Sequence, residues 1–232
     1  MTSRAPFIIA LSGGSGSGKS GLATALFEAL ASRLGAGAAL IVGEDDYYLP
    51  MSAYGDAETE AARAALADKI NYDAPSAKEA ERLAADLGAL KAGHSVDAPI
   101  YDYGRHDRSA ETQRLDPAPV IILEGIHALS MPAVRPLFDL TVYVDTPDDL
   151  RLARRLRRDV IERERSVESV LSQYLSTVRA AHYQYTYPAK FEADLVIADE
   201  GLPAYGHVRP TDRALERMLA PVIERLASAG VV

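Results

Sequence analysis

The sequence of 232 residues contains no cysteine, no tryptophan and only four phenylalanines. Without cysteine the chain cannot form a disulfide, bind a metal through thiolates or use a cysteine nucleophile, and we expect a reducing compartment. Its apolar runs, FIIAL at 7–11 among them, fall well short of the roughly 18 residues that a membrane-spanning helix needs. We therefore expect a cytoplasmic protein that does not associate with a membrane.

Basic residues are also in short supply, because 25 lysines and arginines face 33 aspartates and glutamates, which gives a net charge of −8. Proteins that bind nucleic acid nonspecifically do so mainly through lysine and arginine, so we expect no nucleic-acid partner. The apolar fraction of 48% is ordinary for a folded protein. The length would fit one α/β domain or two small ones, and we expect a single domain over residues 1–232.

Short apolar runs alternate with helical patterns along most of the chain. The runs predicted to be buried strands are FIIAL, ALIVG, VIILEG, LTVYVDT and DLVIA. Continuous apolar strands separated by helices are typical of a parallel sheet covered on both faces, a three-layer α/β/α fold. A polar segment rich in β-forming residues, 94–108, predicts a hairpin outside this sheet.

Leucines at helical spacing predict a helix from residue 22 that stops at Gly35. Ser76 and Glu79 are spaced as a capping box for a helix over 76–92. Further helices are predicted over 56–67, over 166–182 and from Thr211 or Asp212 to the end of the chain, the last with a kink at Pro221.

The segment GGSGSGKS at 13–20 matches the pattern of a phosphate-binding loop and lies between a predicted strand and a predicted helix. Glycines let successive backbone N–H groups point inward, and the helix adds its positive end. Lys19 would contact the outer phosphates and the Ser20 hydroxyl would bind Mg²⁺. A flexible glycine/serine loop is the alternative, but the strand–loop–helix setting favours a nucleoside triphosphate site.

Acidic residues at two further strand ends suggest a kinase of small molecules. Asp45 follows the second strand, where it could accept an alcohol proton and help to hold Mg²⁺, and Glu124 ends the strand VIILEG in a metal-binding position. Either residue could instead only cap a turn.

Guanine-specific GTPases read the base with an Asn-Lys-x-Asp segment, and because Asn71 is the only asparagine, we exclude that class.

An arginine-rich segment, 147–165, contains seven arginines from Arg151 onward. Arginines at helical spacing can neutralise a phosphoryl group during transfer when a lid closes over it. A solvated helix face paired with Asp159 and Glu162 is the alternative, and we expect it for Arg151 and Arg157.

Together these residues resemble the uridine kinase (uridine–cytidine kinase) family of P-loop kinases, within the phosphoribulokinase/uridine kinase superfamily. The motifs that carry the resemblance extend along most of the chain; they are GGSGSGKS, EDDYY, NYDAPSA, PIYDY, ILEGI, YVDTP, RRLRRDVIERERSVESVLSQY and KFEADLVI. The resemblance implies a five-stranded parallel sheet with a β-hairpin (94–108) and a helical lid (147–165) over the substrate.

The resemblance also implies roles for individual residues. Asp45 would be the catalytic base for the nucleoside 5′-hydroxyl, acting with Lys19, and Ser20, Asp45 and Glu124 would hold the metal. The residues implied to bind ATP are Gly13, Gly14, Ser15, Gly16, Ser17, Gly18, Lys19, Ser20, Gly21, Arg158 and Arg163. Those implied to bind the nucleoside are Tyr48, Tyr72, Asp73, Tyr101, His106, Arg155, Arg165 and Gln173, with Asp73 and Arg155 on the ribose and Tyr101 and His106 on the pyrimidine. A lone His106 in a polar loop could also be merely solvated, and we assign His127 no role.

The implied activity is phosphorylation of the 5′-hydroxyl of uridine, and of cytidine, by a homo-oligomeric enzyme. It would use Mg²⁺ and take ATP, or alternatively GTP, as the phosphoryl donor. A related kinase of another small alcohol, a sugar phosphate or a pantothenate-like compound, stays open, as does a nucleotide-sensing binding module. The chain departs from the family at Glu164, where glycine is usual, in a longer loop at 49–70, and in ADEGLPAYGHVRP, which lacks the usual basic, glycine-rich segment.

Overall fold

The computed structural model describes residues 5–56, 59–67, 69–199 and 212–232. Five parallel strands form the main sheet. They are β1 Phe7–Ser12, β2 Ala39–Gly43, β5 Val120–Glu124, β6 Leu140–Asp145 and β7 Leu195–Ala198. Their order across the sheet is β2-β5-β1-β6-β7. All five predicted strands are thus confirmed, because continuous apolar runs are what a sheet buried on both faces requires.

In sequence, the α-helices of the described ranges follow β1, β2, β6 and β7. They are α1 Lys19–Leu34, α2 Glu60–Ala67, α3 Ala80–Lys91, α4 Asp148–Glu162, α5 Val167–Gln173, α6 Arg179–Ala181 and α7 Asp212–Ser228. None of them is long and apolar enough to cross a membrane.

Two apolar cores cover the two faces of the sheet and confirm the three-layer fold. On one face, Leu22 and Leu26 of α1 and Val222 of α7 pack against the strands. On the other face, Leu83 and Leu87 of α3 pack in the same way. Each such leucine contributes about 1.5–3 kcal/mol through its burial.

A separate two-stranded antiparallel hairpin, β3 Val96–Asp102 and β4 Asp107–Leu115, confirms the predicted hairpin but is longer than predicted. Its second strand continues to Leu115 because that residue is buried in the α3-side core, although the strand before it is polar and exposed. Sequence periodicity gives little signal for a strand with only one buried side chain at its end.

Helix boundaries differ from the predictions in two places. The capping box is wrong: Ser76 lies in a 3₁₀ turn, Pro75–Ala77, and α3 begins at Ala80 without a side-chain cap. Lys78 is extended, with φ −107° and ψ 147°, because its backbone pairs with Tyr48, so the helix cannot begin earlier. The helix predicted over 166–182 is confirmed and continues to residue 186, with π-helical turns over 174–178 and 182–186.

The remaining predictions fall partly on residues outside the described ranges. The helix predicted at 56–67 is present as α2, but residues 57 and 58 lie outside the description. The last helix begins at Asp212, the first described residue after the gap, and contains Pro221; the kink stays a prediction. Residues 200–210 of ADEGLPAYGHVRP also lie outside the described residues.

Candidate active site

The carboxyl ends of three neighbouring strands meet at one edge of the sheet. Glu124, the last residue of β5, lies between Leu11 of β1 and Gly43 of β2 in the strand register. The glycine-rich loop follows β1, and Asp45 follows β2 two residues after Gly43. The register therefore brings three predicted functional segments to the same crevice, where parallel sheets bind ligands.

The glycine-rich loop is held from outside by the first turn of α4. Gly16 has φ +81°, and a Cβ there would overlap the backbone carbonyl of Arg151, so this position requires glycine. Arg151 is buried and donates to the carbonyl of Thr146 at 3.1 Å and to Asp148 at 2.6 Å. Our expectation that Arg151 faces solvent is therefore wrong, because it is paired inside the fold, whereas Arg157 is exposed as expected.

Ser20 and Glu124, two of the three expected metal ligands, are in contact. The Ser20 hydroxyl lies 3.1 and 3.2 Å from the two carboxylate oxygens of Glu124. Burial raises the pKa of Glu124 and nearby Asp45 adds to this rise, whereas Lys19 opposes it. These interactions indicate that Lys19 and Asp45 are near neighbours of the Ser20–Glu124 pair.

This arrangement fits magnesium held jointly with a nucleotide. Within the described part of the chain, no three or more histidine, aspartate or glutamate side chains are grouped as a metal site. Magnesium rarely needs such a group, since it is usually held by one or two carboxylates, water and substrate phosphates. A hydroxyl and two carboxylates beside a phosphate-binding loop provide that set of ligands.

Asp45 lies in a 3₁₀ turn, Glu44–Tyr47, and half of its side chain is exposed. One carboxylate oxygen lies 2.7 Å from the ammonium of Lys78. Although burial alone would raise the pKa of Asp45, Lys78, assisted by Lys19 and Arg163, holds it well below its usual range. The carboxylate is therefore ionised at neutral pH and close to the lysine of the glycine-rich loop.

An aromatic cluster lies beside Asp45. The Tyr48 ring is 4.8 Å from that of Tyr101 and 5.8 Å, edge-on, from that of Tyr72. His106, at the hairpin tip, stacks on Tyr72 with ring centroids 5.7 Å apart. The structure thus brings together the four aromatic residues expected at the nucleoside, and the stack favours a pocket role for His106 over simple solvation.

The residues expected at the ribose form a connected network through Gln173. The Gln173 amide donates to Asp73 at 3.4 Å, and its carbonyl accepts from Arg155 at 3.0 Å and from Arg165 at 2.7 Å. Arg155 also donates to Ser15 of the glycine-rich loop at 3.0 Å. This network links the expected nucleoside site to the glycine-rich loop.

A fully buried carboxylate, Asp159, organises the arginines of the lid. Its oxygens lie 2.8 Å from Arg158, 3.5 Å from Arg155, 3.6 Å from Arg163 and 3.7 Å from Arg165. The alternative in which Asp159 lies on a solvated helix face is therefore wrong. One buried anion cannot neutralise four guanidinium groups, so the cluster keeps excess positive charge.

The helix α4 does not place its apolar side chains inside and its arginines outside. Leu152, Leu156 and Val160 are only half-buried. Arg154, in contrast, is buried and pairs with Asp199 at 2.5 Å. Buried carboxylates allow this helix to turn a charged face inward, which a hydrophobic pattern does not indicate.

Sequence reasoning missed a group of buried polar residues behind the site, formed by Glu44, Lys78 and His127. Lys78 binds both Glu44 and Asp45. The backbone N–H of His127 donates to Glu44 at 2.6 Å, and its ring Nε2 lies 2.9 Å from the carbonyl oxygen of Asp73. Burial lowers the pKa of His127. The only signal for this group was the unusual density of acids in VGEDDYY.

Comparison with known proteins assigns most of the chain to one family model. Residues 8–202 match the model described as "Phosphoribulokinase / Uridine kinase family". Uridine kinase of Ligilactobacillus salivarius is 41% identical over 196 residues, which cover 84% of this chain and 86% of that protein. Uridine kinase of Shewanella amazonensis is 42% identical over 201 residues, which cover 87% of this chain and 91% of that protein.

Solved structures agree in fold. Phosphoribulokinase from Rhodobacter spheroides matches with a TM-score of 0.59 and 17% identity, over 84% of this chain and 71% of that chain. D-glycerate 3-kinase from Cryptococcus neoformans matches with a TM-score of 0.56 and 17% identity, over 80% of each chain. At this identity the likeness concerns the α/β architecture alone.

Proposed function

The chain belongs to the phosphoribulokinase/uridine kinase family, and we propose that it phosphorylates the 5′-hydroxyl of uridine, and of cytidine, with ATP. The identity of about 42% to uridine kinases over most of the chain supports this assignment. The observation that carries it is local: Asp45 is ionised and interacts with Lys19 of the glycine-rich loop and with Tyr48 of the aromatic cluster. An alcohol kinase for an aromatic nucleoside needs these three features side by side.

The glycine-rich loop binds the triphosphate through its backbone N–H groups, and Lys19 contacts the outer phosphates. Ser20, Asp45 and Glu124 would hold magnesium, which would neutralise charge on the phosphates. Asp45 orients the 5′-hydroxyl and accepts its proton late in the transfer. Because the transition state of phosphoryl transfer is largely loose, positioning and charge matter more than the strength of the base.

The nucleoside lies, in this proposal, against Tyr48, Tyr72 and Tyr101, with His106 closing the pyrimidine side. Aromatic faces bind a flat base and exclude water from the acceptor hydroxyl. Asp73 and Arg155 hold the ribose hydroxyls, and the link through Gln173 supports this role since it already brings the two side chains into one network.

Arg158 and Arg163 provide positive charge for the transferring phosphoryl group. Their side chains are 33% and 39% exposed, so they are accessible while Asp159 holds them. Arg163 also stacks on Tyr103 with its guanidinium carbon 5.1 Å from the ring centroid. The proposal also includes closing of the arginine-rich helix over bound nucleotide. It further includes the cytoplasmic location expected from the sequence and the homo-oligomeric state that the family resemblance implies.

A panel of acceptors in one ATP-coupled assay tests the substrate. We expect ADP formation with uridine and cytidine far above the background without acceptor, and little with ribulose 5-phosphate, glycerate or pantothenate. Turnover with one of the latter but not with uridine would assign the chain to another alcohol kinase of the family. Nucleotide binding without turnover of any acceptor would favour a sensing module. Repeating the assay with GTP in place of ATP shows which nucleotide is the phosphoryl donor.

A further inference from the structure

A buried lysine joins two carboxylates beneath the proposed acceptor site. The Lys78 ammonium lies 2.7 Å from Asp45 and 3.2 Å from Glu44, and neither Lys78 nor Glu44 exposes any side-chain surface. The same ammonium lies 3.2 Å from the centroid of the Tyr48 ring, on its face. Lys78 therefore contacts the proposed base and a wall of the proposed nucleoside pocket at once.

The backbone on both sides of this contact is fixed by hydrogen bonds. Residues 47–49 run antiparallel to residues 77–79, with the Leu49 N–H donating to the Ala77 carbonyl at 2.9 Å and the Glu79 N–H to the Tyr47 carbonyl at 2.8 Å. Lys78 lies in the middle of this pairing. Its side chain therefore begins at a defined point opposite Tyr48 and reaches Asp45, which lies three residues before Tyr48 in the chain.

The carboxylate of Glu44 is also held in place, by contacts on both of its oxygens. One of its oxygens accepts the backbone N–H of His127 at 2.6 Å, and the other faces Lys78. Gly125 lies against the same carboxylate, since a Cβ there would overlap it. Glu44 thus acts as a stationary counter-ion within the fold.

The charges of the three side chains are unequal. Lys78 carries one positive charge, and Glu44 and Asp45 carry one negative charge each. Glu44 alone compensates the lysine, so one negative charge is left, and Asp45 is the only one of the three with an exposed side chain. The group can therefore fix the direction of Asp45 and still leave it with an anionic oxygen toward the site.

A purely structural role would not require this group. Burying an ammonium costs several kcal/mol before pairing, and apolar side chains of similar volume commonly fill such a place with equal or better stability. Phosphoryl transfer, in contrast, gains from exact placement of the groups around the reacting atoms, and a shift of about 1 Å can cost 10²-fold in rate.

We infer that Lys78 is a positioning residue for phosphoryl transfer: clamped by Glu44 and seated on Tyr48, its ammonium sets the orientation of the Asp45 carboxylate relative to the glycine-rich loop. The nature of the reaction rests on the proposed function. The clamp, by which we mean the contacts of Lys78 with Glu44, Asp45 and Tyr48, rests only on the structure. Because the side chain of Lys78 is fully buried, its contribution acts through Asp45 and Tyr48.

Three variants test this inference by steady-state kinetics with uridine and ATP. Lys78→Met leaves the carboxylates of Glu44 and Asp45 without their shared cation. The double variant Glu44→Gln/Lys78→Met removes the buried cation and its buried counter-ion together. We expect it to fold even if the single variant unfolds. Lys91→Met is the matched control, because Lys91 makes an ion pair of 2.8 Å with Asp139 away from the site.

For the double variant we expect kcat to fall about 10- to 100-fold while the KM for ATP changes by less than about threefold. Its free energy of unfolding should exceed that of Lys78→Met, and Lys91→Met should keep the parent kcat. A double variant with the parent kcat would overturn the inference, as would an equal loss of kcat in Lys91→Met, which would indicate a general effect of lost ion pairs.

Crystal structures of the parent and the double variant separate this result from a failure of the proposed function. If the parent does not phosphorylate uridine, the proposed function fails while the clamp is still tested by the orientation of Asp45. The inference predicts that Asp45 adopts another rotamer in the double variant. The same Asp45 orientation in both structures would contradict it.

Discussion

His182 should make the stability of this protein fall steeply in mild acid. Its side chain is buried, with the ring against Gly14 of the glycine-rich loop and 5.9 Å from that of Tyr187. Burial, together with the positive charge of Arg151, lowers the pKa of the imidazole from 6.5 to about 4. The imidazole of His182 is therefore protonated in the folded protein only at a pH where the same imidazole is already protonated in the unfolded chain.

The sign and size of the effect follow from this difference in pKa. Above pH 6.5 the imidazole is neutral in both states and costs nothing, and as pH falls from 6.5 to 4 the unfolded state is increasingly favoured. The unfolding free energy should drop by about 1.4 kcal/mol between pH 8 and pH 5.5, and by about 3 kcal/mol by pH 4.

Urea unfolding at pH 8, 6.5 and 5.5 measures the effect, with His182→Gln as the variant that cannot titrate. The parent should lose about 1.4 kcal/mol more than His182→Gln between pH 8 and pH 5.5, whatever the difference between the two proteins at pH 8. His94→Gln, at an exposed histidine, should lose as much as the parent. Equal losses in the parent and in His182→Gln would refute the reasoning.

Three further substitutions test other parts of the structure. Glu164 has φ +53°, so Glu164→Gly should raise the unfolding free energy by about 0.5–1 kcal/mol after the entropy cost of glycine; a lower melting temperature would contradict this. Gly125→Ala should lower stability by about 1–3 kcal/mol in urea unfolding, because its Cβ would overlap the Glu44 carboxylate, and an unchanged midpoint would refute that contact. His106→Ala removes the stack on Tyr72 and should reduce the preference for uridine over adenosine by about tenfold in kcat/KM, and unchanged selectivity would remove His106 from the pocket.

The sheet and the glycine-rich loop could be predicted because each has a local signal. A continuous apolar run such as VIILEG marks a buried strand wherever it occurs, and GGSGSGKS between a strand and a helix identifies its own ligand. The position of Asp45 after the second strand then follows from the rule that carboxyl ends of parallel strands meet. The structure contains both the expected sheet and the expected hairpin.

The buried charges could not be predicted, because a charged side chain is buried only where a distant partner exists. Lys78 finds Glu44 and Asp45 more than thirty residues earlier, and Arg154 finds Asp199 forty-five residues later. Hydrophobic periodicity assigns such residues to the surface, as it did for Arg151. The capping box at Ser76 failed for a related reason, since backbone pairing between Lys78 and Tyr48 overrides the local preference.

Asp45→Asn tests the central claim most directly, because it removes the anionic oxygen and nearly preserves the shape. Turnover of uridine should be measured for parent and variant at saturating ATP and magnesium, with the product identified as the 5′-monophosphate. We expect the parent to form uridine 5′-monophosphate and the variant to lose about 100-fold or more in kcat, with ATP binding largely retained. Near-parental turnover by Asp45→Asn, or a parent that forms no 5′-monophosphate, would contradict the account.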